Sequence, residues 1–338
     1  MVNYELFWYN QSMKTSEKII AYIFARGEAS ASEITSYLGI SSRAVFKQLR
    51  NLIDQDKLFK KGTPPKVYYM VTEEVLILRD SGTHKIDKST QKFIEEYFFH
   101  ITPIGRIEEG FDGFVEWCEK RNLGVEDSAQ DYKSTLQKYR KYFNEIGFID
   151  GMKKFKSSFN EVFLDEVYYL DFYSIERFGK TKLGQKLLYA KQSQNRKLIS
   201  EISKEVEDRI KFFIRLKKIT AIGFIPPTVK REVQFMKEFK KSLSINLPEI
   251  KIVKITNEVV VPQKTLSKIE DRIENAKSTI VVDDVRSFNN VLIIDDAIGS
   301  GATLNETARS LKQKKIAKYV FGIAVTGSFK GFDVISEV

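Results

Sequence analysis

The chain has 338 residues, 42% hydrophobic and 30% charged, which excludes a disordered or fibrous protein and suggests two or three domains. One cysteine and two histidines exclude a disulfide framework and leave almost no room for Cys- or His-based metal clusters. The net charge of +10 points to a polyanionic partner, namely nucleic acid, a phosphorylated small molecule or an anionic surface; no eighteen-residue apolar run or signal-peptide pattern is present, so a cytoplasmic protein without membrane contact is expected.

Residues 1–75 read as one small domain. The spacing predicts a helix over 15–25, with Ile19, Ile20 and Ile23 on its apolar stripe and Ser16 as cap. A second helix follows a cap at Ser32 and stops at Gly39, and a third runs from Ser41 or Ser42 to about 55. Residues 58–71 form two strands around the tip Gly62-Thr63-Pro64-Pro65. This is the order of a winged helix-turn-helix. At 100° per residue, Arg43, Lys47 and Arg50 share one face of the third helix, opposite Val45, Leu49 and Leu52. A basic stripe there suits a recognition helix in a major groove, with Ser42 and Gln48 as further contacts. Lys60, Lys61 and Lys66 flank the tip, in reach of phosphates or a minor groove. The stretch 41–70 carries a net +5. The competing reading is a protein-contact or dimer module; a homodimer or a hetero-complex is the expected assembly.

Residues 76–163 read as an α-helical connecting or interaction region, rich in aromatics such as Phe93, Phe98, Phe114 and Trp117, with no motif. Cys118, beside Trp117, reads as core. From 164 to 338 strands and helices alternate. Strands are predicted over 167–172, 221–225, 250–255, 291–294 and 319–325, with helices at 231–243 and 304–314 among those between them, giving an α/β fold with a parallel sheet.

The most informative segment is 291–304. Four apolar residues form a buried strand, Asp295 and Asp296 stand at its carboxyl end, and a small-residue loop opens a helix near Ala302 or Thr303. Backbone N–H groups of such a loop and the helix N-terminus cradle an anion. Gly299 and Gly301 allow close approach, and Ser300 and Thr303 add hydroxyls. Two carboxylates beside that cradle would repel a bare polyphosphate. They suit a ribose diol or a Mg²⁺ ion, and a sugar phosphate satisfies both halves.

This segment resembles the phosphoribosyl pyrophosphate (PRPP) motif of type I phosphoribosyltransferases, with Ser300 where threonine is usual. The resemblance implies that Asp295 and Asp296 hold the ribose hydroxyls, with Mg²⁺ associated indirectly through PRPP. It also implies that Ala297, Ile298, Gly299, Ser300, Gly301, Ala302 and Thr303 bind the 5′-phosphate. Three further stretches resemble the competence-F (ComF-like) branch: Phe178-Gly179 with Lys191; Pro226-Pro227 with Lys230, Arg231 and Gln234; and Gln263-Lys264 through Arg272 to Asn275. They imply a pyrophosphate-binding turn at Pro226, Pro227 and Arg231, and a mobile loop whose Lys264 and Arg272 act with Asp295 and Asp296 in catalysis. The resemblance spans about 166–325. A local +7 over 211–241 agrees with a pyrophosphate neighbour.

A winged helix joined to such a domain resembles the Gram-positive purine repressor, which implies a PRPP-responsive regulator of DNA. It also resembles accessory proteins of some retron systems, which implies an antiphage effector working with a reverse transcriptase and single-stranded DNA or RNA. The third expectation is an active, pyrophosphate-releasing phosphoribosyltransferase on an unknown base.

Overall fold

The structure is a computed structural model that describes residues 14–72, 85–229, 231–255, 259 and 261–328. Lys230 and the side chain of Lys264 lie outside the described residues. The chain divides into two compact units, Met1–Lys85 and Ile86–Val338.

The first unit holds α1 (Thr15–Arg26), β1 (Ala29–Ser30), α2 (Ala31–Leu38), α3 (Ser42–Asp54), β2 (Leu58–Lys61) and β3 (Tyr68–Val71). The strands form an antiparallel sheet in the order β1-β3-β2. The caps differ from the sequence expectation at two helices. Lys14, not Ser16, stands at the N-cap of α1, where Glu17 reaches back to its N–H at 2.9 Å. Ser30, not Ser32, caps α2, because its hydroxyl accepts from the Glu33 N–H while Glu33 accepts from the Ser30 N–H, a reciprocal capping box. Ile19, Ile23, Ile34, Val45, Leu49, Leu52, Leu58 and Tyr69 make the core of this unit.

The second unit is built on a six-stranded sheet in the order β11-β10-β14-β15-β7-β6. These strands are β11 (Glu249–Ile250), β10 (Ala221–Phe224), β14 (Phe288–Ile298), β15 (Ala317–Gly327), β7 (Glu166–Phe172) and β6 (Ile149–Asp150), and after β7 a separate short hairpin pairs β8 (Ser174–Ile175) with β9 (Gly179–Lys180). All neighbours pair in parallel except β6 with β7. Both faces are covered, which is why the central strands are apolar without alternation. Val291 and Ile293 face one layer, with Leu304, Ala308 and Leu311 of α12 (Ala302–Gln313) and Ala276 of α11 (Ile269–Thr279). Leu292 and Ile294 face the other, with α8 (Lys182–Gln192), α9 (Arg196–Leu216) and α10 (Phe235–Ser242).

Residues 86–163 belong to this same compact unit. They contribute α4 (Lys88–Tyr97), a short hairpin of β4 (Phe99–Ile101) and β5 (Ile107–Glu109), α5 (Gly110–Glu119), α6 (Val125–Arg140), β6 and α7 (Met152–Ser158). The Gln185 side-chain amide of α8 ties the hairpin down by bonding the Phe99 carbonyl at 2.8 Å and the Ile101 N–H at 2.9 Å. Cys118 is fully buried between these helices, and burial pushes its thiol up to about 11, as a core cysteine requires.

The stretch expected to be helical thus also carries strands β4, β5 and β6, and three further elements differ from expectation. The single strand over 250–255 is two. Ile250 stays in the main sheet beside Gly223, and β12 (Ile252–Lys254) turns away to pair with β13 (Ile280–Val282). The helix expected from 231 begins at Phe235, because side chains hold the preceding backbone in another path. The Gln194 amide oxygen accepts from the Val233 N–H at 2.8 Å, and the Arg231 guanidinium donates to the Lys191 carbonyl. Finally β14 extends to Ile298, four residues beyond the expected strand, because its pairing with β15 persists to Ile298 opposite Gly327.

Candidate sugar-phosphate site

The extension of β14 creates the site. Its other neighbour, β10, ends where Phe224 pairs with Ile294, and the Ile225 N–H makes a last bond to the Ile294 carbonyl at 2.9 Å. Pro226 and Pro227 then offer no N–H groups, so the ladder stops. Asp295 and Asp296 therefore lie where β14 is paired on one edge only. The space left by β10 is a cavity of about 230 Å³, lined by Asp295, Asp296, Ala297 and Thr303, by Pro226, Pro227 and Arg231, and by Lys191 from α8. It sits outside the carboxyl ends of parallel strands, the place where open α/β sheets bind ligands.

Lys191 binds Asp296 Oδ2 through Nζ at 2.7 Å, so one of the two acids is already charge-paired. Burial, then the adjacent Asp296 carboxylate, raise the Asp295 carboxyl above the ordinary carboxylate range, opposed by its bond from the Asp296 N–H and by Lys191 and Lys254. Lys254, at the end of β12, donates to the Thr228 hydroxyl at 3.1 Å, and burial lowers its ammonium.

The loop beyond the acids is held from below. Gly301 caps α12 with φ of +85°, a conformation that a side chain would strain, and a Cβ there would meet the Phe155 ring at 2.4 Å. Buried Lys154 of α7 clamps the loop by donating to the Gly299 carbonyl and, at 2.7 Å, to the Ser328 carbonyl. Burial, with Arg272 nearby, lowers its ammonium to about 8. Arg272 is itself buried. Its Nε donates to the Leu266 carbonyl at 2.7 Å, and its Nη1 would lie 3.8 Å from a Cβ on Gly299.

The structure thus brings the acidic pair, Ala297, Thr303, the double-proline turn and Arg231 around one cavity. It places Arg272 behind the glycine loop, and Lys264 has only its backbone described, in the short helix Gln263–Thr265. Sequence reasoning gave no role to Lys191, although it stood in one of the resembling stretches, and missed Lys154 and Lys254. Four of the eight described cations of the basic segment 211–241 pair with carboxylates away from the cavity. Lys211 pairs with Glu207 at 2.6 Å, Lys217 with Glu166 at 2.7 Å, Lys241 with Glu238 at 2.9 Å and Lys240 with Glu249. Among its described cations only Arg231 lines the cavity.

In the first unit, Arg43, Lys47 and Arg50 are exposed along α3 while Val45, Leu49 and Leu52 are buried. They form no ion pair among the described residues. Ser42 is exposed and Gln48 half-buried on the same helix. Lys60 and Lys66 are exposed at the hairpin, while Lys61 bonds Glu28 at 2.8 Å.

No family model matches the chain, and no curated protein does. Among solved structures, a hypoxanthine phosphoribosyltransferase from Staphylococcus aureus is similar at 15% identity and a TM-score of 0.25, over 40% of this chain and 66% of that one. The match spans a little under two thirds of that protein's length. A superposition this loose says nothing about what the chain does.

Proposed function

We propose that the protein binds PRPP, or a closely related sugar phosphate, in the cavity at the end of β14, and uses that binding to regulate the grip of its N-terminal unit on nucleic acid. One observation carries the reading. A half-open parallel strand presents two carboxylates beside a glycine-capped helix N-terminus and a basic rim. The carboxylates accept from the ribose hydroxyls, the loop 297–303 donates N–H groups to the 5′-phosphate, and Arg231 and Lys191 offset the pyrophosphate charge.

The residues fit Mg²⁺ only as a companion of the ligand. Asp296 is already bonded to Lys191, and no group of three or more His, Cys, Asp or Glu suited to a metal exists among the described residues. Such an ion would be held mainly by the pyrophosphate oxygens and water, where it would neutralise charge on them. The first unit reads as a winged helix-turn-helix, with α3 in a groove and the hairpin at the backbone. A role as sensor is favoured over catalysis by Arg272, whose guanidinium is buried and bonded to the Leu266 carbonyl.

Linkage tests the reading. In fluorescence anisotropy with labelled duplex and single-stranded DNA, PRPP with Mg²⁺ should shift the affinity of the wild-type protein at least about fivefold. The shift should vanish in Asp295→Asn/Asp296→Asn. Equal DNA affinity with and without PRPP in the wild type contradicts the regulatory role.

A further inference from the structure

A second cavity in the same unit, of about 410 Å³, is a different one. It lies between α4–α6 and the corner where β7 passes into α8, and shares no lining residue with the acidic-pair cavity. It opens to solvent rather than lying sealed in the core. It matches the size of small-molecule sites.

Rings make its wall. The Tyr132 ring stands edge-on to Phe98 at 5.8 Å and to Phe178 at 5.0 Å, and Phe178 lies 5.9 Å from Trp117. The Tyr132 hydroxyl donates to the Tyr97 carbonyl at 3.0 Å, so it is already satisfied. Against this wall stand two polar groups from the sheet side. Asp171 lies at the end of β7, with Oδ1 accepting from the Phe172 N–H at 2.7 Å. Arg209 of α9 is fixed through Nη1 to the carbonyls of Leu170, at 2.8 Å, and Gly147, at 3.3 Å. The two form no ion pair with each other among the described residues. Burial raises the Asp171 carboxyl to about 6 and lowers the Arg209 guanidinium.

An apolar ligand would remove water from both groups without replacing its hydrogen bonds, which is costly. A ligand with polar edges on a flat ring answers both the wall and the two groups. We propose that this cavity is a second ligand site, for a planar aromatic compound that presents an N–H edge to Asp171 and a carbonyl or carboxylate oxygen to Arg209. The inference does not rest on the sugar-phosphate reading, because the two cavities are built from different residues.

Pterin is a suitable probe, since it is a flat bicycle with an amino and N–H edge and a ring carbonyl; quinoxaline is the comparable bicycle without a donor. In calorimetry on the full chain, pterin should bind saturably, with quinoxaline at least about tenfold weaker. Asp171→Asn and Arg209→Lys should each weaken pterin by about tenfold or more, while Asp295→Asn/Asp296→Asn leaves it unchanged. Thermal melts report whether the variants fold. If Asp171→Asn does not, Phe178→Leu, at a half-buried wall position, should still weaken pterin by about threefold, and the quinoxaline contrast stands on the wild type alone. No saturable binding of pterin to the wild type overturns the proposal, as does equal affinity in Asp171→Asn. Loss of pterin binding in the Asp295/Asp296 variant would place the probe in the other cavity and overturn it too.

Discussion

Two basic stretches of this chain look alike as sequence and differ as structure. Residues 41–70 carry a net +5 and residues 211–241 a net +7. In the first, Arg43, Lys47 and Arg50 line one exposed face of α3, and the opposite face is core. In the second, four lysines bond carboxylates, two within their own helix and two on neighbouring strands, and of the described cations of that stretch only Arg231 lines the acidic-pair cavity. Charge density along a chain counts cations. A polyanion meets only those with no internal partner and a common face. The larger local charge is therefore the less available one.

The largest expected effect breaks this comparison at α3. Arg43→Ala/Lys47→Ala/Arg50→Ala should weaken nucleic-acid binding by about 100-fold in low-salt anisotropy and lower the salt slope by about three. Unchanged affinity and slope would remove the stripe from the interface. Next, the cation that does face the acidic pair should matter more than its isolated position suggests. Lys191→Ala should lower PRPP affinity by about tenfold in calorimetry, since it removes both an Asp296 partner and a charge on the ligand rim.

The acidic pair sharpens the comparison through pH. The Asp295 carboxyl is raised above the ordinary carboxylate range by burial and by the adjacent Asp296 carboxylate, and the ionised form is the better acceptor for ribose hydroxyls. Because the proton is lost as pH climbs through a value above the ordinary carboxylate range, PRPP affinity should rise between pH 7 and 8.5, above the range where the ligand's phosphate titrates. Asp295→Asn should flatten the rise. The smallest effect belongs to the occupied lysines. Lys217→Ala/Lys240→Ala/Lys241→Ala should change PRPP and DNA affinity by less than about threefold, in keeping with exposed ion pairs that have little to spare for a ligand.

What the sequence made legible was local. The apolar strand, Asp295-Asp296 and the glycine turn are consecutive, so strand, acid pair and helix start could be read together, and α12 begins at Ala302 as that pattern requires. The stripe on α3 was legible because helical periodicity alone decides it. What escaped comes from partners far apart in the chain. Lys154 is 145 positions from the Gly299 carbonyl it binds, and nothing in the short helix around it marks it as buried. Lys191 and Asp296 are 105 positions apart. The delayed start of α10 depends on Gln194 and Lys191 capturing the Arg231–Val233 backbone and side chain, a tertiary contact that no propensity contains. The hairpin of β4 and β5 has three-residue strands, too short for a period to show.

The central claim is that the cavity beside β14 is a sugar-phosphate site, and calorimetry of PRPP with Mg²⁺ tests it most directly. The wild-type protein should bind one equivalent per chain, with affinity falling by about 100-fold or more in Asp295→Asn/Asp296→Asn, while ribose-free pyrophosphate should lose far less between the two. The same PRPP isotherm for wild type and double variant would contradict it.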